Sequence, residues 1–175
     1  MSAMDGDHHW AQMRALVSAD LAREVGADVA AEVRYARGMA ELDYAYLADY
    51  AAVENGRLTA VGASYTHARV SNLDGAWLTA IAGRVRTKVG AAAVALKITI
   101  GPEDQSFRMI WENELLPDPD ARPYGEGTVG VLFAALISVP LLTAGRYVCE
   151  VQLDDVPVRV LVFTVEVENE ASAEL

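Results

Sequence analysis

The chain has 175 residues, 53% of them apolar, and it carries 25 acidic against 14 basic side chains for a net charge of −11. This composition excludes a wholly disordered chain, and the negative charge disfavours nucleic acid as a partner, because binding to phosphates rests on cationic side chains. Cys149 is the single cysteine, which excludes an internal disulfide and a multi-cysteine zinc site and indicates a reducing, cytoplasmic location.

Residues 1–41 are predicted to form a helical arm. The first ten residues lack a cationic region followed by an apolar stretch, so we expect no secretory signal. Apolar side chains then recur every four residues, which is a helical rather than a strand period, and Gly26 divides the pattern into two helices or one kinked helix. This stripe is the predicted interface with a protein partner or a second copy, and it consists of Met13, Val17, Leu21, Val25, Val29 and Val33.

Residues 42–168 are predicted to form a β-sandwich domain, followed by an acidic tail at 169–175. The domain opens with strands at 44–53 and 57–61, joined by Asn55-Gly56, a strong signal for a two-residue hairpin turn in which Gly56 supplies a positive φ. Tyr44, Tyr46 and Tyr50 fall on one side of the first strand, and we expect them to pack at a sheet face beneath a covering element.

Six further segments have strand patterns, which brings the predicted total to about eight. The most apolar of them is too short and too interrupted by Pro140 for a membrane-spanning helix of roughly 20 residues, so we predict a buried strand and no membrane insertion. The six strands are predicted at residues 77–87, 94–100, 106–115, 129–139, 146–153 and 156–167.

A turn at Asp154-Asp155 would join the last two strands. Pro157 cannot donate a ladder hydrogen bond, which leaves the register open to a slip or a longer loop. Without a slip, three pairs would face one core: Val151 with Val158, Cys149 with Val160, and Tyr147 with Val162.

Gly145, Tyr147 and Cys149 have the spacing found where the sixth strand of immunoglobulin-type sandwiches begins. In that corner the tyrosine ring is buried and its hydroxyl bonds to backbone upstream. Cys149 has no partner cysteine, so we interpret it as a small buried hydrophobe rather than a nucleophile. The predicted fold is therefore a mainly β, antiparallel, immunoglobulin-like sandwich with an N-terminal helical extension.

The order D-x-A-x-V-x-x-G-R-L-x-x-x-G in the opening hairpin, with a G-R-Y strand near the end, resembles an uncharacterised bacterial β-sandwich family. The resemblance covers about residues 43–167. It implies the fold and carries over no activity, cofactor or catalytic residue. The matching residues are Asp49, Ala51, Val53, Gly56, Arg57, Leu58, Gly62, Pro140, Gly145, Arg146, Tyr147 and Phe163.

Acidic residues cluster in a loop rich in proline and glycine, where Asp118, Asp120 and Glu126 are weak candidates for calcium ligands. No spaced calcium loop and no glycine-rich phosphate loop accompany them. His67 stands among loop hydroxyls and is predicted to lie in a solvated loop rather than to take part in catalysis. We therefore predict no resident metal, no cofactor and no catalytic residue.

The pattern favours a non-enzymatic protein-binding or assembly module that acts through its N-terminal arm. Two other hypotheses stay open: a sandwich that binds a small ligand or calcium, and a regulator with a helix-turn-helix at residues 11–39 and a sandwich sensor domain. An enzyme whose site is assembled from scattered residues also stays open.

Overall fold

Ten β-strands make up most of the part of the chain that the computed structural model describes, residues 40–125 and 127–168. No helix occurs in those residues, so this unit, which starts at Ala40, is mainly β. The predicted stripe of the arm and the acidic tail lie outside the described residues. The strands are β1 Glu41–Ala48, β2 Tyr50–Glu54, β3 Arg57–Val61, β4 His67–Val70, β5 Ala76–Lys88, β6 Val94–Pro102, β7 Met109–Leu115, β8 Thr128–Pro140, β9 Gly145–Leu153 and β10 Val156–Val167.

The strands form a three-stranded sheet in the order β1-β5-β8, a five-stranded sheet in the order β4-β10-β9-β6-β7, and the hairpin β2-β3. Neighbouring strands are antiparallel except β4, which runs parallel to β10. The structure thus has ten strands where about eight are predicted, and the parallel pairing of β4 with β10 departs from the predicted antiparallel arrangement. β4 escaped prediction because its four residues give only two periods of alternation, and His67 consequently lies on a strand rather than in a loop.

The inward side chains of the two larger sheets form one hydrophobic core. β6 shows the predicted alternation, since Val94, Leu96, Ile98 and Ile100 are buried while the residues between them are not. The core also contains the largest buried side chain, Tyr147, which stacks on Phe163 with ring centroids 5.4 Å apart. No helix within the described ranges is long and apolar enough to cross a membrane.

The predicted first strand, 44–53, is wrong because the chain bends at Asp49 and divides it into β1 and β2. The backbone N–H of Asp49 donates to the carbonyl of Val61, at 3.0 Å. Gly62 has a φ of +63°, and a Cβ there would lie 1.9 Å from Oδ2 of Asp49. The side chain of Asp49 is exposed and can turn away from such a Cβ, so it is the positive φ that favours glycine at position 62.

The hairpin β2-β3 forms as predicted, and β3 has the predicted bounds. Asn55 and Gly56 have φ values of 50° and 69°, the positive values of a type I′ turn, and Glu54 lies opposite Arg57. Gly56 thus occupies the turn position for which it was singled out.

The last two strands are joined by the predicted Asp154-Asp155 turn, with φ values of 50° and 62°, but their predicted register is wrong. The register shifts between Pro157 and Arg159. Pro157 has no N–H for the ladder, which favours an irregularity at this point. The true neighbours are Arg159 for Val151, Leu161 for Cys149 and Phe163 for Tyr147.

Three side chains form a hydrogen-bond network that links β5 to the end of β1. The hydroxyl groups of Tyr65 and Thr79 are 2.6 Å apart, and the indole N–H of Trp77 donates to Tyr65 at 3.2 Å. Thr79 Oγ1 in turn donates to the carbonyl of Ala48 at 3.3 Å, just before the bend. Burial raises the pKa of Tyr65, so it stays a neutral hydrogen-bonding group. This network serves to position the hairpin.

Candidate protein-binding surface

The three-stranded sheet has a second apolar face, on the side away from the main core. Side chains alternate along a strand, so Ile81 and Val85 of β5 point into the core while Ala80 and Ala82 point outward. Both alanines are nevertheless fully buried, because the hairpin β2-β3 packs on them. Their small side chains allow the hairpin to approach closely.

Larger apolar side chains surround this alanine patch without being covered. Exposed fractions are 38% for Tyr44, 53% for Leu78 and 46% for Leu136, and Tyr46 and Leu132 are half-buried. We call these five residues the outer apolar face. Tyr44 and Tyr46 share one side of β1 as predicted, with rings stacked at 6.1 Å, but Tyr44 is exposed rather than beneath a covering element, and Tyr50 lies beyond the bend in β2.

A cationic side chain crosses one end of the outer apolar face. The guanidinium carbon of Arg84 lies 5.4 Å from the ring centre of Tyr44 and 5.7 Å from that of Tyr124, so the cation is held between two aromatic rings. Arg84 is also paired with Asp43, and that hydrogen bond raises the pKa of Arg84. Gly130 makes room for the side chain, since a Cβ there would come within 2.9 Å of Cδ of Arg84. The charge is thus compensated where it lies.

The neighbouring Arg86 is compensated in the same way, since its Nη2 lies 3.0 Å from Oε1 of Glu41. The two arginines of β5 are therefore paired with the two acids of β1 across the sheet. This pairing depends on the β1–β5 register, which sets Arg86 opposite Glu41 and Arg84 opposite Tyr44, so that Arg84 reaches Asp43 at the irregularity between Leu42 and Tyr44.

The outer face of the five-stranded sheet is of a different kind. It carries a cleft of about 170 Å³, below the roughly 300–1,000 Å³ typical of small-molecule sites. Beside the cleft, Arg146 pairs with Glu103 at 3.2 Å, and further along the sheet Lys97 pairs with Glu112 at 3.2 Å. The cleft is lined by Thr99, Gly101, Pro102, Glu103, Gln105, Arg108, Val148 and Glu150. Its size does not favour the small-ligand hypothesis.

Two of the three candidate calcium ligands, Asp118 and Asp120, lie within the described residues. Asp118 and Asp120 are exposed, and the carboxylate of Asp118 accepts the backbone N–H of Asp120 at 2.9 Å, while Glu126 lies outside the described residues. Across residues 40–125 and 127–168, no three histidine, cysteine or acidic side chains are grouped to hold a metal ion. His67 is exposed on β4, with Nε2 3.9 Å from Glu166.

The two core residues singled out at the start of β9 have the expected surroundings. Tyr147 is fully buried, and its hydroxyl donates to the carbonyl of Thr143, four residues upstream, at 3.1 Å. Cys149 is also fully buried, and that burial raises its pKa to about 12. A protonated thiol without access to solvent is a packing group and not a nucleophile.

No protein-family model matches this chain, and no curated protein does so either. Fourteen chains of solved structures match it. One is the alkylpurine DNA glycosylase AlkC of Pseudomonas fluorescens bound to DNA containing an abasic site analog, with 9% identity and a TM-score of 0.40. The match covers 73% of this chain and 30% of that one, so this chain spans less than a third of that protein's length. Similarity at this level supports no functional inference.

Proposed function

We propose that this chain is a protein-binding or assembly module whose β domain is an immunoglobulin-like sandwich and whose outer apolar face contacts the partner. The immunoglobulin-like part of the proposal is supported by the core shared between two sheets and by the bond from Tyr147 to Thr143. The single, buried Cys149 supports a reducing, cytoplasmic setting.

The observation that carries the proposal is that exposed apolar side chains border a patch of buried alanines on the outer apolar face. Tyr44, Leu78 and Leu136 are each more than a third exposed around the alanine patch. Aromatic and leucine side chains that stay in water lose the free energy of burial, and contact with a partner recovers it. Arg84, the cation that contacts Tyr44, is already paired and stacked, so it does not oppose an apolar contact.

The predicted stripe from Met13 to Val33 is a second proposed site of association. It would place apolar side chains on one side of a helix, where a protein partner or a second copy could cover them. This part of the proposal rests on the sequence pattern alone.

Affinity capture from a native lysate, together with light scattering on the purified full chain, tests the proposal. The variant Leu78→Glu/Leu136→Glu places two charges on the outer apolar face. The matched control Ile110→Glu/Val160→Glu changes two side chains of similar exposure, 59% and 55%, on the five-stranded sheet. We expect wild type and control to retain a bound protein or a second copy and the first variant to lose it. Equal behaviour of all three proteins, with melts showing that each is folded, would contradict the proposal.

A further inference from the structure

β8 has one edge that pairs with β5 and another edge that pairs with no described strand. The direction of its backbone groups follows from three contacts. Thr128 exchanges two hydrogen bonds with Tyr124, at 2.8 and 3.2 Å, on the side away from β5, whereas the carbonyl of Gly127 accepts from Val89 on the β5 side. The β5–β8 register has no shift, so the even-numbered residues of β8 direct their N–H and C=O groups to the free edge throughout.

Backbone groups that have no partner among the described residues extend along most of the strand. Beyond Thr128, the described residues provide no hydrogen-bond partner on this side for Gly130, Leu132, Ala134, Leu136 and Ser138. Five successive alternate residues thus present five donors and five acceptors in a row, which is the pattern that another extended strand recognises.

β8 also lacks the charges that protect the other sheet edges. Edge strands commonly carry charged side chains, because burying a charge opposes pairing with another chain. β1 carries Glu41 and Asp43, β4 carries Arg69, and β7 carries Glu112 and Glu114. Among the ten strands of the described ranges, β8 is the one with no aspartate, glutamate, lysine or arginine, although its 13 residues equal β5 in length.

We propose that β8 pairs antiparallel with β8 of a second copy, in a register centred on Ala134. This inference rests on the proposed function and names its partner and its surface. The register sets Ala134 opposite Ala134 of the second copy, and Leu132 opposite Leu136 of the second copy. Since five residues of each copy face the partner, the pairing forms about ten backbone hydrogen bonds and joins two three-stranded sheets into one.

The order of side chains in β8 is the reason for a second copy rather than a strand of another protein: Leu132 and Leu136, and likewise Gly130 and Ser138, lie at equal distances on either side of Ala134, so the strand matches itself about a two-fold axis. Each copy carries a net charge of −11, so two copies repel each other over most of their surfaces. Pairing through an uncharged strand brings no like charges into direct opposition. Leucine also meets leucine across the dyad, which extends the outer apolar face of each copy into that of the other.

A charge test on the full chain identifies both the partner and the register. In Leu132→Lys/Leu136→Lys, the proposed register sets lysine opposite lysine twice, whereas Leu132→Lys/Leu136→Glu sets lysine opposite glutamate twice. We expect sedimentation equilibrium to show a wild-type dimer, a dimer dissociation constant raised about tenfold or more in the first variant, and recovery of most of that loss in the second. Thermal melts confirm that both variants are folded.

Each outcome separates this inference from the proposed function. A wild-type dimer that both variants leave intact overturns β8 pairing, while assembly through another surface stands. A monomer that captures a different protein through the outer apolar face overturns self-pairing and leaves the proposed function in place. A monomer that captures nothing overturns both. Loss in the first variant without recovery in the second overturns the register.

Discussion

The two edge strands β7 and β8 differ in the features that decide whether an edge pairs with another chain. β7 has seven residues and places the charged Glu112 and Glu114 on its solvent side, together with the exposed Ile110. β8 has 13 residues and no charge. An exposed apolar side chain is thus not sufficient to indicate a binding edge, since both strands have one. Length and the absence of charge separate them.

The same contrast extends to the faces that these edges border. Beside β7, the five-stranded sheet mixes apolar side chains with ion pairs such as Lys97–Glu112. Beside β8, the outer apolar face continues over the alanine patch, and its nearest cation, Arg84, is already paired with Asp43. Edge and face therefore agree in each sheet, and this agreement is why we propose the three-stranded sheet as the side that associates.

The largest expected effect comes from a glycine that supports the β8 sheet. A Cβ at Gly83 would lie 2.2 Å from the carbonyl oxygen of Tyr44 and 2.8 Å from the ring of Phe133. The backbone of β1 and the side chain of Phe133 on β8 would therefore have to move away from β5. We expect Gly83→Ala to lower the free energy of unfolding by about 3 kcal/mol. Gly130→Ala is the control, because its Cβ would meet only the flexible side chain of Arg84, and a cost under about 1 kcal/mol is expected. Denaturant melts with equal losses would show that β1 and β8 adapt freely.

The next largest effect is expected from a variant that makes the β7 edge resemble the β8 edge. Replacing both charges, in Glu112→Thr/Glu114→Thr, leaves an uncharged strand. We expect light scattering to show association beyond the wild-type mass, at a protein concentration about tenfold lower than the wild type would need. The control Glu150→Thr/Glu166→Thr removes the same charge from the inner strands β9 and β10, where no edge is available. If both variants associate equally, net charge rather than edge protection governs association.

Much of the β fold could be predicted from the sequence because local chemistry specifies it. The turns at Asn55-Gly56 and Asp154-Asp155 require positive φ, and alternating side chains in β6 define a buried face. The break at Asp49 could not be predicted from local pattern, because the backbone N–H at the bend donates to the carbonyl of Val61, twelve positions away. The prediction of the β9–β10 register was wrong for a local reason. The missing N–H of Pro157 can be accommodated by an unshifted or a shifted register, and the sequence does not distinguish them.

The candidate surface was less accessible to sequence reasoning. An apolar strand such as β8 reads in sequence as a buried strand, and half of its side chains are indeed buried. β8 lies at an edge because the strand order places β5 between β1 and β8. The outer apolar face likewise depends on the hairpin covering Ala80 and Ala82 but not Leu78.

The rate of thiol labelling reports how accessible each of the two edges is, with a smaller expected effect. Leu136→Cys and Ile110→Cys place one accessible thiol on β8 and one on β7, since the parent side chains are 46% and 59% exposed. Cys149 stays silent because it is buried and its pKa is raised to about 12. We expect labelling at position 136 to slow by about fivefold as the protein concentration is raised through the dimer range, and labelling at position 110 to stay constant.

The labelling reaction is run at a pH at which Cys149 is protonated and the domain is stable. The pKa of Cys149 is raised above its ordinary value of 9.0, so its contribution to stability is complete below about pH 9 and declines as the pH rises toward 12. Labelling at pH 8 therefore reports the engineered thiol in a fully stable domain. Fast reaction of the wild-type protein at this pH would show that Cys149 is accessible, and slowing at both positions would show that dimerisation covers both edges.

The smallest expected effect concerns the connection by which β8 leaves the sheet. The chain passes from Pro140 through Thr143 into β9, and the hydroxyl of the buried Tyr147 holds this connection by its 3.1 Å bond to the carbonyl of Thr143. Tyr147→Phe keeps the ring and its stacking on Phe163 but leaves that carbonyl without its donor, so we expect a loss of about 1 kcal/mol in the free energy of unfolding. Because the β8 edge itself is untouched, the dimer dissociation constant should not change. A free energy of unfolding equal to that of wild type would mean that water replaces the hydroxyl at Thr143 and that the connection after β8 is not held by this corner.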